Sequence, residues 1–187
     1  MAFEVELKYP LSHVGEFKAL VEPMRSSDWF EEVQTDTYFN HPVRDFAQSD
    51  EAVRIRCSNK DVLLTYKGPL LDSVAKTRKE IELPVGEADG NPEQLAEMLT
   101  ALSFRPVRRV HKKRQTARLN WNNQLVTLSI DQVEGLGAFC ELELVTDEDA
   151  IEQARDILLQ LAGQLELNGP VERRSYLQLL IEKETAE

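Results

Sequence analysis

Phe3-Glu4-Val5-Glu6-Leu7-Lys8-Tyr9 alternates apolar and charged residues at every step. A period of two is the mark of a strand, and it sets Glu4, Glu6 and Lys8 on one face, with Phe3, Val5, Leu7 and Tyr9 on the other. The same alternation returns along the chain. Arg54 and Arg56 oppose Val53, Ile55 and Cys57, while Lys76, Arg78, Glu80 and Glu82 share the face opposite Ile81 and Leu83. Further on, Lys112, Arg114, Thr116 and Arg118 share a face, Thr127, Ser129 and Asp131 oppose Leu128 and Ile130, and Glu141 and Glu143 oppose Cys140, Leu142 and Leu144. If helices bury the apolar faces, the charged faces converge on the concave interior of a curved sheet, the reverse of small barrels filled with hydrophobes. A flat sheet with a solvated, salt-bridged polar face is the competing reading of the alternation alone.

Between these strands the sequence punctuates itself. Pro10 and Ser12 open a helix to about Met24, with Val14, Phe17, Leu20, Val21 and Met24 at helical spacing. A strand is expected from Trp29 to Phe39, a break across Asn40 to Asp50, and strands over Ala52 to Cys57, Val62 to Lys67 and Lys76 to Leu83. Pro84 to Asn91 reads as a surface break. Asn91 caps a helix that Pro92 opens and that runs to about Leu102. Long strands follow at Phe104 to Leu119 and Gln124 to Val133, then a turn at Gly135 and Gly137 into Phe139 to Val145. Thr146 or Asp147 would cap a helix from Glu148 to Gln164, and Ser175 to Lys183 would add a short terminal one. Strands joined mainly by short turns give an α+β antiparallel sheet, open or closed into a barrel, with helices packed outside. No repeat or linker divides residues 1–187, so one domain is expected.

Composition narrows the function. The chain carries 22 Lys and Arg against 33 Asp and Glu, a formal charge of −11, which argues against a nucleic-acid coat. Arg108, Arg109, His111, Lys112, Lys113 and Arg114 do not change that, because alternation splits them between two faces. No run approaches the roughly 20 apolar residues of a membrane span, and the amino terminus lacks a secretion pattern, so a cytoplasmic location is expected. Cys57 and Cys140 lie in strand-like runs and read as reduced, buried thiols. His13, His41 and His111 have no shared metal-ligand spacing. Trp29 and Trp121 read as packing residues.

Carboxylates crowded on one wall repel one another unless cations compensate them, and clustered cations need an anion. A Mg²⁺-triphosphate complex meets both demands, with hard oxygen ligands for the ion and Arg or Lys for the phosphate oxygens.

In order along the chain, the sequence resembles the CYTH superfamily, which groups class IV adenylyl cyclases, thiamine triphosphatases and related triphosphate tunnel metalloenzymes. The resemblance rests on Glu4-Val5-Glu6-Leu7-Lys8, Ala52-Val53-Arg54-Ile55-Arg56, Leu64 to Pro69, Thr77 to Glu82, Val110 to Arg114, Ile130 to Glu143 and Arg174-Ser175-Tyr176. It implies an eight-stranded antiparallel barrel or tunnel, with helices outside, that holds a small-molecule triphosphate. It also implies Glu4, Glu6, Asp131, Glu141 and Glu143 as the group from which ligands for Mg²⁺ or Mn²⁺ are drawn, with Glu80 and Glu82 as neighbouring acids. Lys8, Arg54, Arg56, Lys67, Arg78, Lys112 and Arg114 match the basic phosphate-binding set. Glu4, Glu6 and Lys8 are the candidate catalytic groups. Gln34 to Phe39, followed by Pro42 to Phe46, is most similar to the class IV adenylyl cyclase subgroup.

Hydrolysis of an inorganic or organic triphosphate is the leading expectation, because a water is easier to place than a ribose 3′-oxygen. Cyclisation of ATP to cyclic AMP and pyrophosphate is the alternative, and binding without catalysis a third. Tyr38, Phe39 and Phe46 either contact an organic group or pack under the adjacent loop, and packing is favoured. Ser175 and Tyr176 are expected to close one end. Monomer and homodimer are equally compatible with the sequence.

Overall fold

The computed structural model describes residues 3–59, 61–71, 74–87 and 91–186. Eight antiparallel strands carry the fold: β1 (Phe3–Leu11), β2 (Phe30–Asn40), β3 (Ala52–Cys57), β4 (Asp61–Lys67), β5 (Lys76–Glu87), β6 (Arg105–Trp121), β7 (Gln124–Val133) and β8 (Gly137–Thr146). Their order is β1-β5-β4-β3-β2-β6-β7-β8, and β8 pairs back onto β1, so every strand has two hydrogen-bonded neighbours and the sheet closes. The joints differ in length. β1 meets β8 over nine register pairs, from Phe3 to Leu11, but meets β5 over four, Phe3 to Glu6 against Lys79 to Lys76.

That short seam explains why Pro10 can sit inside β1. Beyond Glu6 the strand is paired on the β8 side alone, so the N–H that proline lacks is not needed on the other side. Pro84 is likewise absorbed by β5, next to a register shift at Val62/Leu63, so the strand runs to Glu87 through the first part of the expected break, whose residues 88–90 lie outside the described residues.

Five helices attach to this sheet: α1 (Val14–Val21), α2 (Phe46–Ser49), α3 (Pro92–Ala101), α4 (Ile151–Gln164) and α5 (Tyr176–Ala186). On the outer face of β1, β7 and β8, α4 and α1 bury Phe17, Val21, Leu158 and Leu161 against Val5, Leu7, Leu128, Cys140 and Leu142. α3 packs Leu99 on Phe39, Ile55 and Val62, outside β2, β3 and β4. Each burial of a large aliphatic side chain contributes about 1.5–3 kcal/mol. Asn91 does cap α3, accepting from the Gln94 N–H at 3.0 Å. Neither Thr146 nor Asp147 caps α4, because a 3₁₀ turn at Glu148–Ala150 intervenes. α2 was not expected; Asp45 caps it by accepting from the Ala47 N–H at 3.2 Å, and Phe46 is buried beneath it.

The expected barrel with all its helices outside is corrected by α5. At one end of the sheet the inward positions turn apolar, at Tyr38, Val110, Val133 and Phe139, and Tyr176 and Leu180 of α5 pack among them. The helix therefore stoppers that end and reaches into the interior, and the charged lining occupies only part of the enclosed length. The buried residues of α5, Tyr176 and Leu180, find their apolar partners at this mouth. Cys57 and Cys140 are unpaired thiols, Cys140 buried and Cys57 partly so. Among the described residues no helix is long and apolar enough to cross a membrane.

Candidate functional site

The inward faces of the strands enclose a cavity of about 380 Å³. Glu4, Glu6 and Lys8 enter it from β1, Arg54 and Arg56 from β3, and Lys67 from β4. β5 adds Arg78, Glu80 and Glu82, β6 adds Lys112 and Arg114, and β8 adds Glu141 and Glu143. The alternation in each strand thus becomes one mixed-charge chamber. Tyr38, Phe39 and Phe46 also line it, at the side nearer α2 and α5. Of the residues expected at the site, Asp131 alone is not on its wall. It lies fully buried behind Lys112 and Arg114.

Among the lining residues not expected at the site are Asp36, Lys76 and Tyr176. Asp36 on β2 accepts Arg56 Nε and Nη2, both at 2.7 Å, and Arg54 Nη1 at 3.3 Å. Lys76 Nζ donates to Glu6 Oε1 at 2.9 Å, and Tyr176 stands among the lysines. The signal for Asp36 was its place on the same strand face as Gln34 and Tyr38.

The charges fall into two groups. Around Asp131 the basic wall is fixed: Lys112 Nζ donates at 3.0 Å, Arg114 Nε and Nη2 at 2.7 and 2.5 Å, and Tyr176 Oη at 2.9 Å. Arg114 also pairs with Glu141. Four donors saturate the two carboxylate oxygens of Asp131, which acts here as a counter-charge for the cations in front of it. Burial opposes the charge on Asp36, yet Arg56 and then Arg54 hold its carboxyl far below the usual range. Burial, then the like charge of Arg114, lowers Lys112 to about 8.

Opposite stands a carboxylate group. Glu4 stands beside Glu80 and Glu143. Burial, followed by the charge of Glu4, pushes Glu143 up to about 9. Burial also raises Glu80, to about 7, although Lys67 pulls the other way. Glu4 itself is held low against its burial by Lys67, which lies 3.6 Å away. Within this group the ionised form is favoured at Glu4 and the protonated form at Glu143.

Nine Lys or Arg and nine Asp or Glu side chains line the cavity among the described residues. Protonation of Glu143 tips this balance to positive, and the chamber suits an anion although the chain carries −11. Among the described residues no group of three or more His, Cys, Asp or Glu side chains is arranged to hold a metal ion. Glu4, Glu80 and Glu143 still fit a hard divalent cation by chemistry, since retained protons mark the place where a second positive charge is needed.

A family model described as the CYTH domain matches residues 2–176. A Methanocaldococcus jannaschii protein, named provisionally as an adenylate cyclase, is 31% identical over 178 residues, spanning 94% of this chain and 97% of that protein. Adenylate cyclase CyaB of Aeromonas hydrophila is 30% identical over 179 residues, spanning 93% of this chain and 86% of its own. Among solved structures, a Pyrococcus horikoshii OT3 protein is 38% identical with a TM-score of 0.84, over 96% of this chain and 99% of that one. Closed strand order, inward charge and these likenesses agree: the chain belongs to the CYTH family of triphosphate-tunnel proteins, as a relative of its adenylate-cyclase-like members.

Proposed function

We propose that the chain hydrolyses a triphosphate. The observation that carries this is the single chamber in which Lys8, Arg54, Arg56, Lys67, Arg78, Lys112 and Arg114 face a group of protonated and ionised carboxylates. A linear triphosphate spreads its charge over many oxygens, and guanidinium groups fixed by Asp36 and Asp131 bind those oxygens without moving at the moment of reaction.

The chain's own residues do the following. Arg54 and Arg56, set side by side on β3, hold phosphate oxygens and stabilise charge as it shifts to the leaving group. Lys112 and Arg114 do the same from β6. Glu4, held low beside Lys67, is the carboxylate able to take a proton from an attacking water. Mg²⁺ or Mn²⁺ would be held by Glu4, Glu80 and Glu143, where it would neutralise phosphate charge and make bound water more acidic.

A second reading is cyclisation of ATP. Tyr38 and Phe46, with Val107, Leu177 and Ile181, give the chamber an apolar approach beside α2 and α5 that could receive a base. The two readings separate by products. Inorganic triphosphate, ATP and thiamine triphosphate are assayed with matched Mg²⁺ or Mn²⁺, and phosphate, pyrophosphate and cyclic AMP are resolved. Hydrolysis predicts faster cleavage of inorganic triphosphate than formation of cyclic AMP; abundant cyclic AMP with little triphosphate cleavage would reverse the assignment.

A further inference from the structure

Two lysines meet at one aromatic ring. Lys8 Nζ lies 4.2 Å from the centroid of Tyr176 and Lys112 Nζ lies 5.1 Å from it. Both lysines are buried, at 1% and 4% exposure, and so is the tyrosine. The carboxylates nearest to Lys8 are engaged elsewhere, Glu6 with Lys76 and Glu141 with Arg114. Lys8 instead donates to the backbone carbonyl of Arg174, two residues before the ring. The hydroxyl of Tyr176 meanwhile donates to Asp131, the residue that also holds Lys112 and Arg114, and its ring packs tilted against Phe139 at 5.2 Å between centroids.

A desolvated ammonium group needs compensation, and a carboxylate would supply it at the cost of cancelling the charge that an anion must feel. The face of an aromatic ring attracts a cation through its quadrupole while carrying no net charge. A ring in this place therefore steadies Lys8 without adding a negative charge and leaves it available to phosphate oxygens, next to a Lys112 already paired with Asp131.

We propose that Tyr176 is a positioning residue of the triphosphate site: its ring holds Lys8 as a cation facing the chamber, beside the Lys112 that Asp131 pairs. The proposal rests on the triphosphate reading above. It makes the start of α5 a part of the binding site as well as a stopper.

The test replaces Tyr176 by phenylalanine and then by phenylalanines of increasing fluorine content. Fluorine withdraws charge from the ring face with little change of shape, so a packing role predicts no trend. Binding of inorganic triphosphate is followed by calorimetry, without turnover and with thermal midpoints recorded. Tyr176→Phe is expected to bind within about three-fold of the parent, and Kd is expected to climb with each fluorine to at least about ten-fold, about 1.4 kcal/mol. Tyr176→Leu should raise KM by at least as much and leave kcat within about three-fold, a split expected of lost ground-state binding. A flat or tightening fluorine series in a chain that binds triphosphate would overturn the role of the ring and leave the functional reading standing. A parent chain that binds no triphosphate would overturn both.

Discussion

Asp36 offers the sharpest test of how the basic wall is built. The variant Asp36→Asn keeps the size of the side chain and one acceptor oxygen but removes the charge that faces Arg54 and Arg56. Asp36 is 2% exposed, and the two arginines are 7% and 8% exposed, so little water is at hand to replace it. Breaking a buried ion pair from one side costs about 3–5 kcal/mol, and the retained acceptor puts this case near about 3. For a domain of this size that corresponds to a fall in Tm of about 6–12 °C. Triphosphate should then recover more stability in the variant than in the parent, because the two guanidinium groups have lost their internal anion. The pH dependence has a definite sign. A carboxyl held low contributes stability above the unfolded value of about 3.9 and loses it as pH falls below that, so the deficit should be constant from pH 6 to 9 and shrink in acid. Urea denaturation with and without inorganic triphosphate measures both effects. A loss under about 1 kcal/mol, with equal ligand gains in the two proteins, would refute the idea that Asp36 anchors the pair.

Mg²⁺ or Mn²⁺ should bind more tightly as pH rises from 6 to 9, releasing more than one proton per ion at pH 7, because Glu143 and Glu80 hold protons that the ion displaces. Calorimetry in buffers of different ionisation enthalpy counts those protons, and an affinity independent of pH would remove the carboxylate group as the ion's place. Without metal the same raised groups favour the folded state at acid pH, and that contribution is lost as pH climbs through about 7 and about 9. Arg56→Ala is expected to raise KM for triphosphate more than it lowers kcat, whereas Glu141→Ala should lower metal-supported turnover as Arg114 loses its second partner; steady-state kinetics across metal and substrate concentrations distinguish them. Leu158→Ala, fully buried between α4 and the sheet, should cost about 2–5 kcal/mol in denaturation with KM unchanged.

Much of the barrel was legible because a period of two leaves little freedom: once Glu4, Glu6 and Lys8 share a face, so do their partners across β8 and β5. The lining charges of β1, β3, β5, β6 and β8 lie on the faces that this alternation marks. What alternation could not reveal is partnership. Glu6 meets Lys76 and Glu4 meets Lys67 across strands far apart in sequence, and only closure of the sheet decides which charges touch. Asp131 has the same signature as Glu141 in the sequence yet sits behind the wall, because it faces the apolar end that α5 fills. α2 was missed since four residues show no helical period, and its capping Asp45 resembles any other loop aspartate.

The lining described above has a kinetic consequence. Its cations and carboxylates balance by formal count and turn positive once Glu143 is protonated, so the rest of the molecule carries at least the whole −11. A free triphosphate in solution meets a repelling body before it meets an attracting interior. Added salt should therefore hasten its capture at first, by shortening the reach of the repulsion to roughly 10 Å at 0.1 M, and slow it only when the chamber itself is screened. A polyanion already covered by a divalent ion arrives with less charge and crosses that barrier more easily. The surface of this protein thus discriminates by charge state before any side chain in the chamber makes contact.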